Sequence, residues 1–190
     1  SSIGHAGYLL VAIASLGAHS TGFGSVGATL GFYLFAYMLM TLLGFLVLNT
    51  FSTQSKGEDI QHFNGLSKRS PFLAFGLLVA MSSLAGVPLT AGFYGKFLVF
   101  AHAVNAQHWV LLGLGVITVG AGFYYYLRVV AAMYWQEPVD SAPIHVSGLT
   151  KVSIGALVLA IFLFGIYPRP VLTVFTTATP SAAAANSGHH

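Results

Sequence analysis

The chain has no cysteine and only four acidic residues among its 190 positions. Without cysteine there is no disulfide framework, no thiolate-held metal and no iron–sulfur ligation. Charge of either sign is scarce: Asp, Glu, Lys and Arg make up 6% of the sequence, hydrophobic residues 56%, and the mean hydropathy is +0.80. A soluble domain carries roughly a quarter charged residues, so this chain cannot cover itself in water and suits a bilayer. Its seven basic residues are spread along the chain and form no basic patch, which argues against a nucleic-acid partner. There is no phosphate loop, dinucleotide fingerprint, nucleophile elbow or zinc-protease helix motif, so a self-contained soluble-type enzyme site is missing. No histidine spacing suggests a metal site, since His102 and His108 flank a helix end instead of sharing a face. The opening "SSIGHAGYLL" has neither a charged n-region nor a cleavage site, so it is no signal peptide. It resembles a membrane segment entered without its usual flank, and points to a piece of a longer chain.

What is present is a series of long apolar runs. A spanning helix needs about 20 apolar residues. Residues 3–16 form a first, short run; 19–27 are Gly/Ser-rich and predict a connection; 28–51, "ATLGFYLFAYMLMTLLGFLVLNTF", predict a full span. Residues 52–70 hold five of the eleven formal charges and belong outside the hydrocarbon. Pro71 then suits the first turn of a helix. Residues 71–104 are too long for one span: a straight helix of that length measures about 51 Å, against a hydrocarbon core of about 30 Å. Gly86, Pro88 and Gly92 interrupt them, predicting two segments, 71–85 and 89–104, with irregular backbone at the join. Such backbone survives at membrane depth only when buried in protein or lining a wet cavity. Residues 109–135 predict a span with aromatic residues at both ends, as interfacial belts require. Residues 136–150 predict a loop, and 151–167 a last span closed by Pro168 and Pro170. The expected architecture is an all-α integral membrane bundle of five to six transmembrane segments over residues 1–175, with a low-complexity, disordered tail over 176–190.

Lys96 is the residue most in need of explanation. A charged side chain at mid-bilayer costs about 2.5–3.5 kcal/mol on insertion scales and is rare unless used. The plain alternative is snorkelling along its four-carbon stem, but Lys96 lies eight residues from Pro88 and eight from Val104, as central as its segment permits. Desolvation penalises an ammonium group, so a lysine kept from water is able to gain and lose a proton as nearby charge changes. Gly92 and Gly95 leave space beside it for backbone or water. Histidine titrates near neutrality and tyrosine passes protons along hydrogen-bonded water, which makes His5, His102 and Tyr94 further relay candidates; Tyr33, Tyr37 and Tyr124–Tyr126 also sit inside spans. Against each stands a structural role, as a hydroxyl bridging helices or an aromatic at the interface. Arg128, two turns from Trp135, fits snorkelling. Glu58 and Asp59 fit a solvated loop.

Three stretches carry a family resemblance. "SSIGHAGYLLVAI" resembles a segment of the antiporter-like membrane subunits of respiratory complex I. "GEDIQHFNGLSKRSPFLAFGLLVAMSSLAGVPLTAGFYGKFLVF" resembles the loop, helix and lysine-bearing helix of the subunit N branch of that family in bacterial NADH-quinone oxidoreductase. "AGFYYYLRVVAAMYWQEP" resembles the helix that follows. "GFYGKF" alone is weak; the ordered set is specific and spans nearly all of residues 1–175. The resemblance implies that this chain corresponds to the second of two inverted repeats plus a last helix, in an energy-transducing membrane. It implies that Lys96 matches the lysine of the C-terminal half-channel and His5 a histidine of the "SSIxHxGY" pattern. It further implies neighbouring membrane subunits and lipids as partners, and no cofactor on this chain, with NADH, flavin, iron–sulfur clusters and quinone in other subunits. The first-repeat glutamate and lysines of the family are absent here, so the chain alone is not expected to pump, and Lys96 is expected to find its partners outside it. Two competing readings remain at this point. One is a subunit of a cation/proton antiporter or membrane-bound hydrogenase of the same superfamily; the other is a scaffold in which Lys96 only pairs with a neighbour. The "GEDIQHFNGL" loop favours complex I.

Overall fold

A computed structural model describes residues 2–16, 25–54, 60–138, 142 and 144–178. The regular elements among the described residues are all helical, with no strand: α1 (Ser2–Ala14), α2 (Val26–Ser52), a 3-10 turn (Ile60–Phe63), α3 (Leu66–Arg69), α4 (Pro71–Ala85), α5 (Ala91–Asn105), α6 (Trp109–Trp135), α7 (Gly148–Ile166) and α8 (Arg169–Ala178). Helix starts follow local chemistry. Ser25, Thr90 and Ser147 cap α2, α5 and α7 by accepting from backbone N–H groups in the first turn, and Pro71 occupies the first position of α4. Much of the 19–27 connection, the charges Lys56, Glu58 and Asp59, and the tail from residue 179 lie outside the described residues. Helical structure itself runs past Pro168 and Pro170 to Ala178.

Helix α2 is the central post. Three helices, α2, α6 and α7, are long and apolar enough to cross a membrane. The α4–α5 pair supplies a fourth crossing in two pieces. A Cβ at Gly76 would touch Val47 at 3.2 Å, Ser83 reaches Met40 at 3.6 Å, a Cβ at Gly95 would touch Tyr33 at 3.1 Å, and His102 reaches Thr29 at 2.9 Å. Going forward along α4 and α5, contacts therefore go backward along α2, from residue 47 to residue 29. Those 18 residues of α2 measure about 27 Å at 1.5 Å per residue. The two segments expected from Gly86 and Pro88 are thus stacked end to end, antiparallel to α2. Their junction falls opposite residues 36–40 of α2, close to the middle of that helix.

Packing follows the same axis. At one end, Phe51 stacks on Phe63 with ring centroids 4.2 Å apart, in a core that includes Leu43, Val47, Leu73, Leu77, Met133 and Ile154. At the other, Tyr8, Ala12, Tyr33, Val99 and Ala103 join α1, α2 and α5. Helix α8 packs back on the first half of α2, where Val171 and Leu172 meet Phe32 and Ala36, and Phe175 fills the space beside Gly31. The polar connections gather at the end where α2 finishes: Lys68 pairs with Glu137 at 2.8 Å, Arg69 donates to the Ala142 carbonyl at 3.0 Å, and Gln54 exchanges two hydrogen bonds with the His145 backbone.

Candidate functional site

The site is the break between α4 and α5. Ending a helix orphans its last four carbonyls, and here each has an identifiable partner. Gly86, at φ 92°, turns the chain left-handed; its N–H reaches the carbonyls of Ser82 and Ser83, and Val87 N–H also bonds Ser82. This is a Schellman-type cap, a conformation glycine adopts without a Cβ penalty. It leaves the carbonyls of Leu84 and Ala85, and Lys96 takes both. Its Nζ donates to Leu84 O at 2.6 Å and to Ala85 O at 3.0 Å. An ammonium at a helix C-terminus also faces the negative end of the helix dipole. Discontinuous membrane helices commonly present their C-terminal ends to cations in this way.

The other half of the break is tied in the reverse direction. Ser83 of α4 accepts from Gly92 N–H at 3.2 Å, and Thr90 accepts from Phe93 N–H while donating to Val87 O at 2.7 Å. Gly92 is where it is because the Ser83 carbonyl occupies the space a Cβ would need, and Gly95 because the Tyr33 ring lies against it. These two glycines therefore admit backbone and an aromatic ring, and the expected water space lies elsewhere. Leu89 sits at φ 74°, a strained conformation for a branched-chain side chain, immediately after Pro88.

Lys96 is 6% exposed and does not snorkel to an interface. Its stem instead points back to the break, at mid-depth of α2. Above it the Tyr8 ring lies 5.5 Å from Nζ, within cation–π range. A cavity of about 240 Å³ opens beside the ammonium, lined by Lys96 and Leu84, by His5 and Tyr8 of α1, and by Thr118, Gly122, Tyr125 and Tyr126 of α6. That is room for several waters, with polar groups to hold them. His5, 4% exposed, shares a 2.7 Å hydrogen bond between Nδ1 and the Tyr33 hydroxyl, and its ring lies 4.5 Å from that of Tyr37.

The sequence candidates thus separate. Lys96 and His5 share one cavity, ninety-one positions apart in the chain. His102 faces Thr29 through Nε2 at 2.9 Å, one turn along α2 from Tyr33, and does not line that cavity. Tyr94 packs edge-on against Phe32, 5.5 Å between centroids, on another face of α5. Tyr8, Ser83 and Thr29 were not singled out by sequence. Tyr8 sits one turn after His5 on α1, so the helical period gave a signal for it; the roles of Ser83 and Thr29 depend on which helix packs opposite. Among the described residues no group of three His, Asp or Glu side chains could hold a metal.

Comparison with known proteins shows what the chain as a whole is similar to. The family model described as NADH:quinone oxidoreductase/Mrp antiporter, TM matches residues 1–122. The chain is 38% identical over 181 residues to NADH-quinone oxidoreductase subunit N of Desulforamulus reducens, covering 95% of this chain and 37% of that protein. It is 43% identical over 193 residues to NADH-quinone oxidoreductase subunit N of Ectopseudomonas mendocina, covering 97% and 37%. It therefore spans a little over a third of the length of these curated relatives. Among solved structures, a chain of respiratory complex I from Thermus thermophilus superposes with TM-score 0.73 at 33% identity, covering 89% of this chain and 37% of that one. A chain of the Mrp complex from Dietzia superposes with TM-score 0.76 at 20% identity, a likeness of fold.

Proposed function

This chain belongs to the NADH:quinone oxidoreductase/Mrp antiporter transmembrane family, and on that premise we propose that it forms part of the proton-translocating membrane subunit N of NADH-quinone oxidoreductase, the respiratory complex I. In this reading the Lys96 cavity is a station on a half-channel, within an assembly whose other subunits reduce quinone and hold the NADH, flavin and iron–sulfur chemistry. The identity of 38–43% to subunit N supports it over the antiporter alternative, to which the Dietzia structure adds fold alone.

The observation that carries the proposal is the ammonium site itself. Lys96 lies at mid-depth, with the neutral carbonyls of Leu84 and Ala85 as its hydrogen-bond acceptors, on a cavity it shares with His5. Carbonyl dipoles and the Tyr8 ring stabilise the positive charge without neutralising it. The charge remains sensitive to its surroundings, because a like charge brought near it in a low-dielectric interior raises the energy of the protonated form. A proton leaving Nζ has a cavity to enter that is roomy enough for water, and His5 across it to accept. The Tyr33 hydroxyl donates to Nδ1 or accepts from it, so the bond persists in either protonation state of the ring.

The test is NADH-driven proton pumping in vesicles carrying the full-length subunit with Lys96→Met or Lys96→Arg, with assembly of the complex checked in parallel. Pumping is expected to fall at least severalfold in Lys96→Met with assembly intact, and to recover in part in Lys96→Arg. Unchanged pumping in both variants would reduce Lys96 to a helix cap.

A further inference from the structure

We propose that the recess headed by Arg128, at the charged end of α6, binds the phosphate head of an anionic membrane lipid. The recess has a volume of about 510 Å³ and is walled by Gln61 and Asn64 on one side and by Arg128, Ala131, Ala132 and Gln136 on the other. Of the other cations described at this end, Lys68 pairs with Glu137 and Arg69 with the Ala142 carbonyl and the Phe51 ring, while Lys151 of α7 is exposed and does not line the recess. The Arg128 guanidinium is exposed and has no hydrogen bond or ion pair among the described residues. A guanidinium offers five N–H donors in a planar fork that matches phosphate oxygens two at a time. The side-chain amides of Gln61, Asn64 and Gln136 bring further N–H donors to the same opening.

Depth and continuity favour a lipid over a soluble anion or a protein carboxylate. Arg128 precedes Trp135 by seven residues, about 10 Å of helix, and an arginine stem covers much of that distance toward the headgroup level. Trp135 and Tyr134, both exposed, mark that level. In the opposite direction the same side of α6 continues with Leu127, Tyr124, Gly120 and Ile117 at spacings of three and four, and the three large side chains are 52%, 66% and 70% exposed. A polar, positively charged recess at the interface thus opens onto an apolar strip descending toward mid-membrane. A phospholipid has that shape and that order of chemistry.

The experiment places the full-length protein, in its complex, in nanodiscs containing phosphatidylglycerol or phosphatidylcholine with a photoreactive group in the upper acyl chain, and reads adducts by peptide mass spectrometry. Phosphatidylglycerol is expected to label the α6 segment around Leu127 and Ala131 severalfold more than phosphatidylcholine. Arg128→Gln should bring that excess down to the phosphatidylcholine level, Arg128→Lys should retain part, and Gln136→Leu should lower it while leaving the charge. Millimolar inorganic phosphate should not compete. Equal labelling by the two lipids, or an excess that survives Arg128→Gln, would overturn the proposal. Displacement by inorganic phosphate would reassign the recess to free anions. Adducts absent from this segment, with Arg128 cross-linking to a neighbouring subunit instead, would make it a protein contact.

Discussion

At Lys96 the accounting of hydrogen bonds decides what the residue does before any proton moves. Two carbonyls left over by the Schellman-type turn are within reach of its Nζ, at 2.6 and 3.0 Å, so the same side chain closes the helix end and carries the charge. A neutral variant therefore has two effects, loss of the charge and two buried acceptors left open, and only Lys96→Arg holds the charge while changing the shape of the donor. Tyr33 offers a cleaner probe. Its ring is packed against Gly95 and its hydroxyl meets His5, so Tyr33→Phe keeps the packing and removes one hydrogen bond. The buried His5 Nδ1 loses its partner, so the expected loss of stability is about 1–3 kcal/mol, measured by thermal or denaturant unfolding of the full-length protein in detergent. If His5 is on the proton path, the pumping rate should fall in the same variant by more than that stability change explains; pumping at the wild-type rate would take the His5–Tyr33 pair off the path.

The element that matters is the broken helix. Each half supplies what the other lacks: Lys96 of α5 meets the C-terminus of α4, and Ser83 of α4 meets the N-terminus of α5. Ser83→Ala removes the acceptor for the Gly92 N–H and leaves a buried donor open, a cost of about 1–3 kcal/mol. Hydrogen exchange should report it as faster exchange confined to residues 84–95, with α2 and α7 unchanged; a uniform increase would mean that the break is not a local unit. Gly92→Ala is expected to be worse than Ser83→Ala, because its methyl group would overlap the Ser83 carbonyl and force the two helix ends apart. The measurement is the yield of folded full-length protein, and a yield equal to wild type would show that the ends are free to separate.

For the molecule as a whole, α2 packs against α1, α4, α5, α7 and α8, while α6 remains largely uncovered, only 6% of its apolar window being buried against 44% for α2. An exposed face of this extent fits lipid and the neighbouring subunits proposed above. The cavity at Lys96 has one wall on α6, so its wetness is measurable from that helix. The chain lacks cysteine, and a single one placed at Gly122, on the cavity wall, has room beside Tyr126 at 3.5 Å. In a full-length background otherwise free of cysteine, Gly122→Cys should react with a small water-soluble thiol reagent at least tenfold faster than Ile117→Cys on the outer face. Equal rates would mean a dry cavity and no water route to Lys96.

Much of this fold was legible in one dimension. Scarcity of charge dictated the membrane, and apolar runs of about 20 residues marked α2, α6 and α7, because the thickness of the hydrocarbon sets a length that sequence counts directly. Gly86 and Pro88 placed the break for a similarly local reason: a left-handed residue and a missing N–H end a helix wherever they fall. Lys96 stood out because an isolated charge in such a run is costly. Its partners could not be read the same way. Backbone carbonyls leave no mark in a sequence, so a search for an acid beside Lys96 finds none and sends the partner outside the chain. Nor does sequence place His5 across the cavity from Lys96, set Ser83 against Gly92, or leave His102 and Tyr94 on other faces. Those relations follow from the end-to-end stacking of α4 and α5 against α2, and that arrangement exists only once the helices have packed.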